Sequence, residues 1–256
     1  MNLHITTQGQ GPNLILLHGW GFNSAVWQPI IPELETHFCL HLVDLPGHGH
    51  SPNLGIEHDV KALAQLIAKQ TPANSILLGW SMGALITLAL ALLHPQHISK
   101  MILVAATPCF INNSDWQNGV ENTIFQQFAK NLQKDYQATI KRFLTLQSLG
   151  NSNNRRRVKQ LYTNLTQQPQ PSSDALSSGL RLLEHTDLRS VCQDIQQPCL
   201  LIHSDDDKLV PLSAAQFLES TLGHAELTVL KKTGHIPFIN QANKFTDLIL
   251  KFAHGY

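Results

Sequence analysis

Residues 77–86 read LLGWSMGALI, so Ser81 stands between Gly79 and Gly83 at the border of two apolar runs. A serine hydroxyl is a weak nucleophile at neutral pH. To attack a carbonyl it needs a base, and the base needs a carboxylate that holds its tautomer. The chain offers both downstream. Of its 14 histidines, His203 and His235 lie late in the chain beside strand-like runs, and His235 sits in KTGHIPF, a loop pattern after the last of them. That loop position favours His235 as the base. The stretch SDDDKLVP, 204–211, supplies three consecutive carboxylates, Asp205, Asp206 and Asp207, and spacing does not choose among them.

Acyl transfer also needs N–H donors aimed at the developing oxyanion, each often worth about 3 kcal/mol. The backbone N–H of Met82, just after the serine, is one expected donor. The other is the backbone N–H of Trp20 in HGWG, residues 18–21, directly after an early apolar run. The indoles of Trp20 and Trp80 are expected to wall the site, and His18 to brace its loop.

These residues need particular elements under them. Asn13–Leu17, Cys39–Val43, Ser75–Leu78, Met101–Ala105, Cys199–His203 and Leu227–Leu230 are short, nearly continuous apolar runs, the pattern of parallel strands covered on both faces. Glu57–Gln70, Met82–Leu93, Ser213–Leu222 and Asn243–Ala253 carry apolar residues at helical spacing. Ser81 therefore falls on a sharp strand-to-helix turn. Glycines on either side let strand and helix pack closely while the serine adopts a strained conformation that projects its hydroxyl. From Phe110 to His185 the strand signals stop, and Phe125, Phe128, Leu132, Tyr136, Ile140, Phe143, Leu144 and Leu146 fit one or two amphipathic helices. The prediction is an α/β fold, a mostly parallel sheet covered on both faces, with a core of residues 1–109 and 186–256 and a helical lid, 110–185, inserted between core strands.

Formal net charge is zero, with 18 basic and 18 acidic residues, so no global pull on nucleic acid or membrane is expected. The start, MNLHITTQ, has neither the basic residues nor the apolar stretch of a signal peptide, and no run approaches the roughly 18 apolar residues of a membrane span. A cytoplasmic monomer is expected. Cys39, Cys109, Cys192 and Cys199 are far apart, without metal-ligand spacing, and read as small apolar residues. The charge is unevenly placed: residues 110–185 hold nine basic and five acidic side chains, a net charge of +4, which the remainder balances. Within the lid, Lys141, Arg142, Arg155, Arg156, Arg157 and Lys159 cluster along the chain. An acidic partner would be steered there, whereas an ordinary solvated helix face would look the same in sequence.

Taken together, HGWG, VDLPGHGHS (43–51), GWSMG, SDDDKLVP and TGHIPF resemble the α/β-hydrolases with a helical lid, over nearly the whole chain. Within that fold, LLHGWG, LHLVDLPGHG, LGWSMG, ATPCF (106–110) and RFLTLQSLG (142–150) resemble the pimeloyl-[acyl-carrier protein] methyl ester esterases of biotin synthesis. The resemblance implies a triad of Ser81, Asp207 and His235, the acid lying three residues before Val-Pro, and an oxyanion hole at Trp20 and Met82. It implies a substrate cleft lined by Phe143, Leu144, Thr145, Leu146 and Gln147, acyl carrier protein as partner, and no metal or organic cofactor. Met82 stands where the family often has Leu, which keeps the backbone N–H.

Other functions fit the same triad. A broad short-chain carboxylesterase, a lactonase or a C–C bond hydrolase would differ only under the lid. An acyltransferase would pass the acyl group to another acceptor. A non-catalytic receptor would not require Ser81, His235 and both glycines together.

Overall fold

A computed structural model describes residues 2–55, 59–147 and 152–255, the side chains at positions 147 and 152–155 excepted. Seven strands, β1 (Ile5–Gln8), β2 (Asn13–Leu17), β3 (Cys39–Val43), β4 (Ser75–Trp80), β5 (Ile98–Val104), β6 (Cys199–Ser204) and β7 (Ala225–Leu230), make one sheet ordered β1-β3-β2-β4-β5-β6-β7. Every neighbouring pair is parallel except β1 with β3. The helices are α1 (Ile31–Leu34), α2 (Val60–Gln70), α3 (Met82–Leu93), α4 (Asn122–Lys134), α5 (Tyr136–Gln147), α6 (Ser152–Gln167), α7 (Ser173–His185), α8 (Leu212–Thr221), α9 (Pro237–Asn240) and α10 (Ala242–His254).

The six strands expected from sequence are all present; β2 to β6 are mostly apolar on both faces, as a doubly covered sheet demands, whereas β7 is an edge strand of which Leu230 alone is buried. All six residues of β4 are buried. Helix α3 is apolar all round and buries Met82 through Ala91, so it packs as an internal element rather than a surface one. Strand β1 is an addition. Its sequence, ITTQ, has one apolar residue and is half exposed, and it exists through antiparallel pairing to β3, from Ile5 opposite Val43 to Gln8 opposite Leu40. Helix α2 is described from Val60; Glu57, where the sequence pattern begins, lies outside the described residues.

The segment between β5 and β6 folds into α4 to α7, and the apolar pattern from Phe125 to Leu146 resolves into α4 and α5. Where this insertion leaves and rejoins the sheet, Leu188 N–H donates to Pro108 O at 2.9 Å. Arg189 bridges Asp187 at 2.7 Å and Asp115 at 3.2 Å beside the Trp116 ring. Among the described residues no helix is long and apolar enough to cross a membrane.

The strand registers bring the carboxyl ends together, with Leu17 beside Val43 and Gly79, and Trp80 beside Val104. Loops leaving β2, β4, β6 and β7 therefore share one edge of the sheet, the usual place for a ligand in open α/β sheets.

Candidate active site

Ser81 follows β4 and precedes α3 with φ 55° and ψ −114°, a conformation that side chains rarely adopt and that costs of order 1–3 kcal/mol. The surrounding hydrogen bonds hold it there. Its N–H donates to Val104 O at 3.0 Å, and its carbonyl accepts from Ala84 N–H at 2.9 Å. Both glycines are required by close approach. A Cβ on Gly79 would lie 2.4 Å from Gly83 O, and one on Gly83 would lie 2.2 Å from Leu17 O, a backbone atom that cannot step aside.

The two loops after β6 and β7 meet through consecutive side chains. His235 Nδ1 is 2.8 Å from Asp207 Oδ2, and both side chains are buried. Asp207 Oδ1 accepts from Leu209 N–H at 2.8 Å and Val210 N–H at 3.0 Å, so the carboxylate is fixed in plane. Burial opposes its ionisation, but the charge and hydrogen bond of His235, the nearby His203 and the Leu209 N–H outweigh it, holding the carboxyl below its ordinary range. A carboxylate on Nδ1 keeps the imidazole proton there and leaves Nε2 as the basic nitrogen. Asp205 and Asp206 do not reach the ring. Asp205 Oδ1 accepts from Lys232 N–H at 2.7 Å, and Asp206 Oδ1 accepts from Gly234 N–H at 2.9 Å.

His203 stands behind the acid, its Nε2 3.7 Å from Asp207 Oδ2 and 2.9 Å from Val210 O. Because a carbonyl only accepts, Nε2 carries the proton. Burial pushes the His203 pKa down despite Asp207 and the Val210 carbonyl, so the ring is neutral.

On the loop after β2, His18 Nδ1 meets Gly19 O at 2.8 Å while Nε2 accepts from Leu45 N–H at 3.0 Å. One partner needs a donor and the other an acceptor, which sets a neutral Nδ1-protonated ring. Complete burial lowers the His18 pKa in the same sense, ahead of the opposing pull of Asp44 and the Gly19 carbonyl. His18 thus braces the turn that presents Trp20. The Trp20 indole donates to Leu176 O of α7 at 3.0 Å, and the Trp80 indole donates to His235 O at 2.8 Å.

Ser81 and His235 open onto an apolar cavity. The core contributes Gly19, Trp20, Phe22, Trp80 and Leu209 to its wall; the inserted segment contributes Phe110, Phe125, Phe128, Phe143 and Leu183. Phe128 and Phe143 also line an outer groove between α4 and α5, together with Arg142 and Leu146. Of the expected cleft segment Phe143–Gln147, Phe143 alone among the described side chains lines the cavity. Leu144 is fully buried, Thr145 is exposed with its hydroxyl donating to Lys141 O at 2.7 Å, and Leu146 is 54% exposed in the outer groove. Gln147 has its side chain outside the described residues. Helix α5 is continuous through this stretch, so consecutive side chains point about 100° apart and five in a row cannot face one cavity.

Arg142, Arg156, Arg157 and Lys159 are exposed on α5 and α6, and the Arg155 side chain lies outside the described residues. The aromatic residues Phe22, Phe110, Phe125 and Phe128 are site residues that sequence reasoning left unassigned. Their spacing in α4 is a visible signal, but an i, i+3 aromatic pair serves a core equally well.

The family model for the alpha/beta hydrolase fold matches residues 12–242. An esterase from Exiguobacterium antarcticum superposes with a TM-score of 0.86 at 23% identity, covering 98% of this chain and 94% of that one. In sequence, the chain is 39% identical over 252 residues to the pimeloyl-[acyl-carrier protein] methyl ester esterase of Vibrio vulnificus (strain CMCP6), covering 98% of both chains. It is likewise 39% identical over 254 residues to the protein of that name from Pectobacterium atrosepticum, covering 99% of both. The chain belongs to the pimeloyl-[acyl-carrier protein] methyl ester esterase family of the α/β hydrolases.

Proposed function

We propose that the protein hydrolyses the methyl ester of a pimeloyl chain carried on acyl carrier protein, releasing methanol in biotin synthesis. The observation that carries this reading is the 39% identity, over 98% of both chains, to a pimeloyl-[acyl-carrier protein] methyl ester esterase, and it is supported by the 2.8 Å His235–Asp207 contact beside Ser81 on an apolar cavity whose described lining includes no lysine or arginine. Such a cavity favours a neutral ester over the free acid. An unpaired carboxylate in an apolar site is costly, so the product is expelled once formed.

Ser81 Oγ attacks the ester carbonyl and gives its proton to His235 Nε2. Asp207 stabilises the imidazolium, and the backbone N–H groups of Trp20 and Met82 receive the oxyanion. Collapse breaks the bond to the methoxy oxygen, which leaves as methanol with the proton from His235. Water, deprotonated by His235, then attacks the acyl-enzyme and restores Ser81. Phe143 packs against the acyl chain. Segment 110–185 acts as the lid over a core of residues 1–109 and 186–256. Arg142, Arg155, Arg156, Arg157 and Lys159 attract the acidic carrier, and the setting is a monomer in the cytoplasm.

The test is turnover of carrier-bound pimeloyl methyl ester beside a free short-chain methyl ester. The wild type is expected to prefer the carrier-bound ester, and Ser81→Ala to lose both activities. Reversing Arg156 and Arg157 to Glu is expected to raise KM for the carrier-bound ester at least about tenfold, one decade per 1.4 kcal/mol, while sparing the free ester. Equal effects on the two substrates would reject the docking role, and Ser81-dependent turnover of free esters alone would leave a general carboxylesterase.

A further inference from the structure

The loop that carries His235 passes through two residues in the left-handed region, Lys232 at φ 55° and Gly234 at φ 60°. Side chains from the end of β6 and the residues after it take up its backbone N–H groups in turn. Ser204 Oγ accepts from Thr233 N–H at 3.0 Å, Asp205 Oδ1 from Lys232 N–H at 2.7 Å and Asp206 Oδ1 from Gly234 N–H at 2.9 Å. The Ser204 hydroxyl itself donates to Asp206 Oδ1 at 2.6 Å, so these two side chains work as one unit.

Gly234 immediately precedes His235, and a glycine populates either hand of φ at little cost. Rotation about its backbone would swing the imidazole relative to Ser81. On the far side, the Trp80 indole grips His235 O at 2.8 Å. On the near side, the Thr233–Gly234 peptide is held at both ends, Asp206 Oδ1 accepting from its N–H at 2.9 Å and Asn240 Nδ2 donating to its carbonyl at 2.9 Å.

We propose that Asp206 is a positioning residue for the ester hydrolysis: by accepting from the Gly234 N–H it sets the direction from which His235 meets Ser81. Asp205 supports the same loop by holding the left-handed turn at Lys232. The inference rests on the reading of Ser81, Asp207 and His235 as the triad. It assigns the run of three aspartates separate tasks, one on the imidazole and two on the backbone that carries it.

The experiment compares Asp206→Ala, Asp206→Asn and Asp206→Glu with wild type on a free methyl ester, with Ser81→Ala and Asp207→Asn alongside. The alanine variant is expected to lose roughly tenfold to hundredfold in kcat, the scale of an ångström-level misplacement, with KM within about twofold. The asparagine variant keeps an oxygen for the Gly234 N–H and should recover most of that loss, and the longer glutamate should not. Wild-type kcat in Asp206→Ala overturns the proposal, as does equal loss in the alanine and asparagine variants, which would make the charge the cause. If the alanine variant does not fold, wild-type kcat in Asp206→Glu overturns it. Activity surviving in Ser81→Ala would instead sink the triad reading, separately from the role of Asp206.

Discussion

Gly179 lies in the middle of α7 with the Trp20 indole against it. A Cβ there would stand 2.5 Å from Trp20 Cδ1 and 2.8 Å from Nε1. Carbon atoms pack at about 3.5–4.0 Å, so Gly179→Ala requires the indole to move by about 1 Å. That movement strains the 3.0 Å hydrogen bond from Nε1 to Leu176 O, which comes from the same helix. Two stability effects then oppose each other. Alanine is favoured over glycine within a helix by about 1 kcal/mol, whereas overpacking costs about 1–3 kcal/mol. The net is a destabilisation of about 0–2 kcal/mol, a fall in Tm of up to about 8 °C at about 2–4 °C per kcal/mol. Activity should suffer more. The Trp20 backbone is assigned to the oxyanion, and loss of one such donor costs about 10²–10³ in kcat. The assay is kcat and Tm for Gly179→Ala, Trp20→Ala and the double variant. Trp20→Ala removes the ring edge that the new methyl meets, so in that background Gly179→Ala should turn neutral or stabilising. A Gly179→Ala protein with wild-type kcat and a raised Tm would refute the account, as would the same Tm change in both backgrounds.

Three further outcomes follow from the site. In Asp207→Asn, the amide oxygen should stay on the Leu209 and Val210 N–H groups and turn the NH₂ toward His235 Nδ1. That forces the wrong imidazole tautomer, and kcat should fall about 10⁴-fold, as in other triads; a loss below tenfold at neutral pH would show that the tautomer is set elsewhere. Gly83→Ala drives a methyl to 2.2 Å from Leu17 O, so it should yield little folded protein, and near-native expression and Tm would count against a close approach at the elbow. Stability should also fall as pH drops below about 6.5, because His18 and His203 are held neutral by burial while unfolded histidines take up protons. The sign follows from more protons bound in the unfolded state. His203→Gln should flatten the fall of Tm between pH 7 and pH 5, and an unchanged slope would remove His203 from the explanation.

Much of this site can be read directly from the chain. Gly79, Ser81 and Gly83 announce the elbow because the pattern falls between a strand run and a helical run, where a tight crossing needs both glycines. His235 is legible because it follows the last strand run. Strands β2 to β6 are legible because parallel strands covered on both faces are mostly apolar, a local property that survives without any knowledge of neighbours; β7, at the edge, shows itself only by its Leu227–Leu230 run. Strand β1 is not, since its four polar-leaning residues are strand only by pairing with β3.

The remaining decisions depend on contacts between distant segments. Spacing leaves Asp205, Asp206 and Asp207 equivalent. The β6–β7 register, which sets Ser204 opposite Leu230, brings the following loops face to face, and Asp207 alone reaches the ring. Helix α5 was equally opaque. A motif names five consecutive residues, but the helix turns Phe143 inward, and which side is inward depends on where α4 and α6 pack. Local periodicity and turn chemistry are encoded in neighbouring residues and can be read from them. The pairing of one loop with another and the facing of a helix arise when separate segments close on a common core, and no short stretch of sequence carries that information.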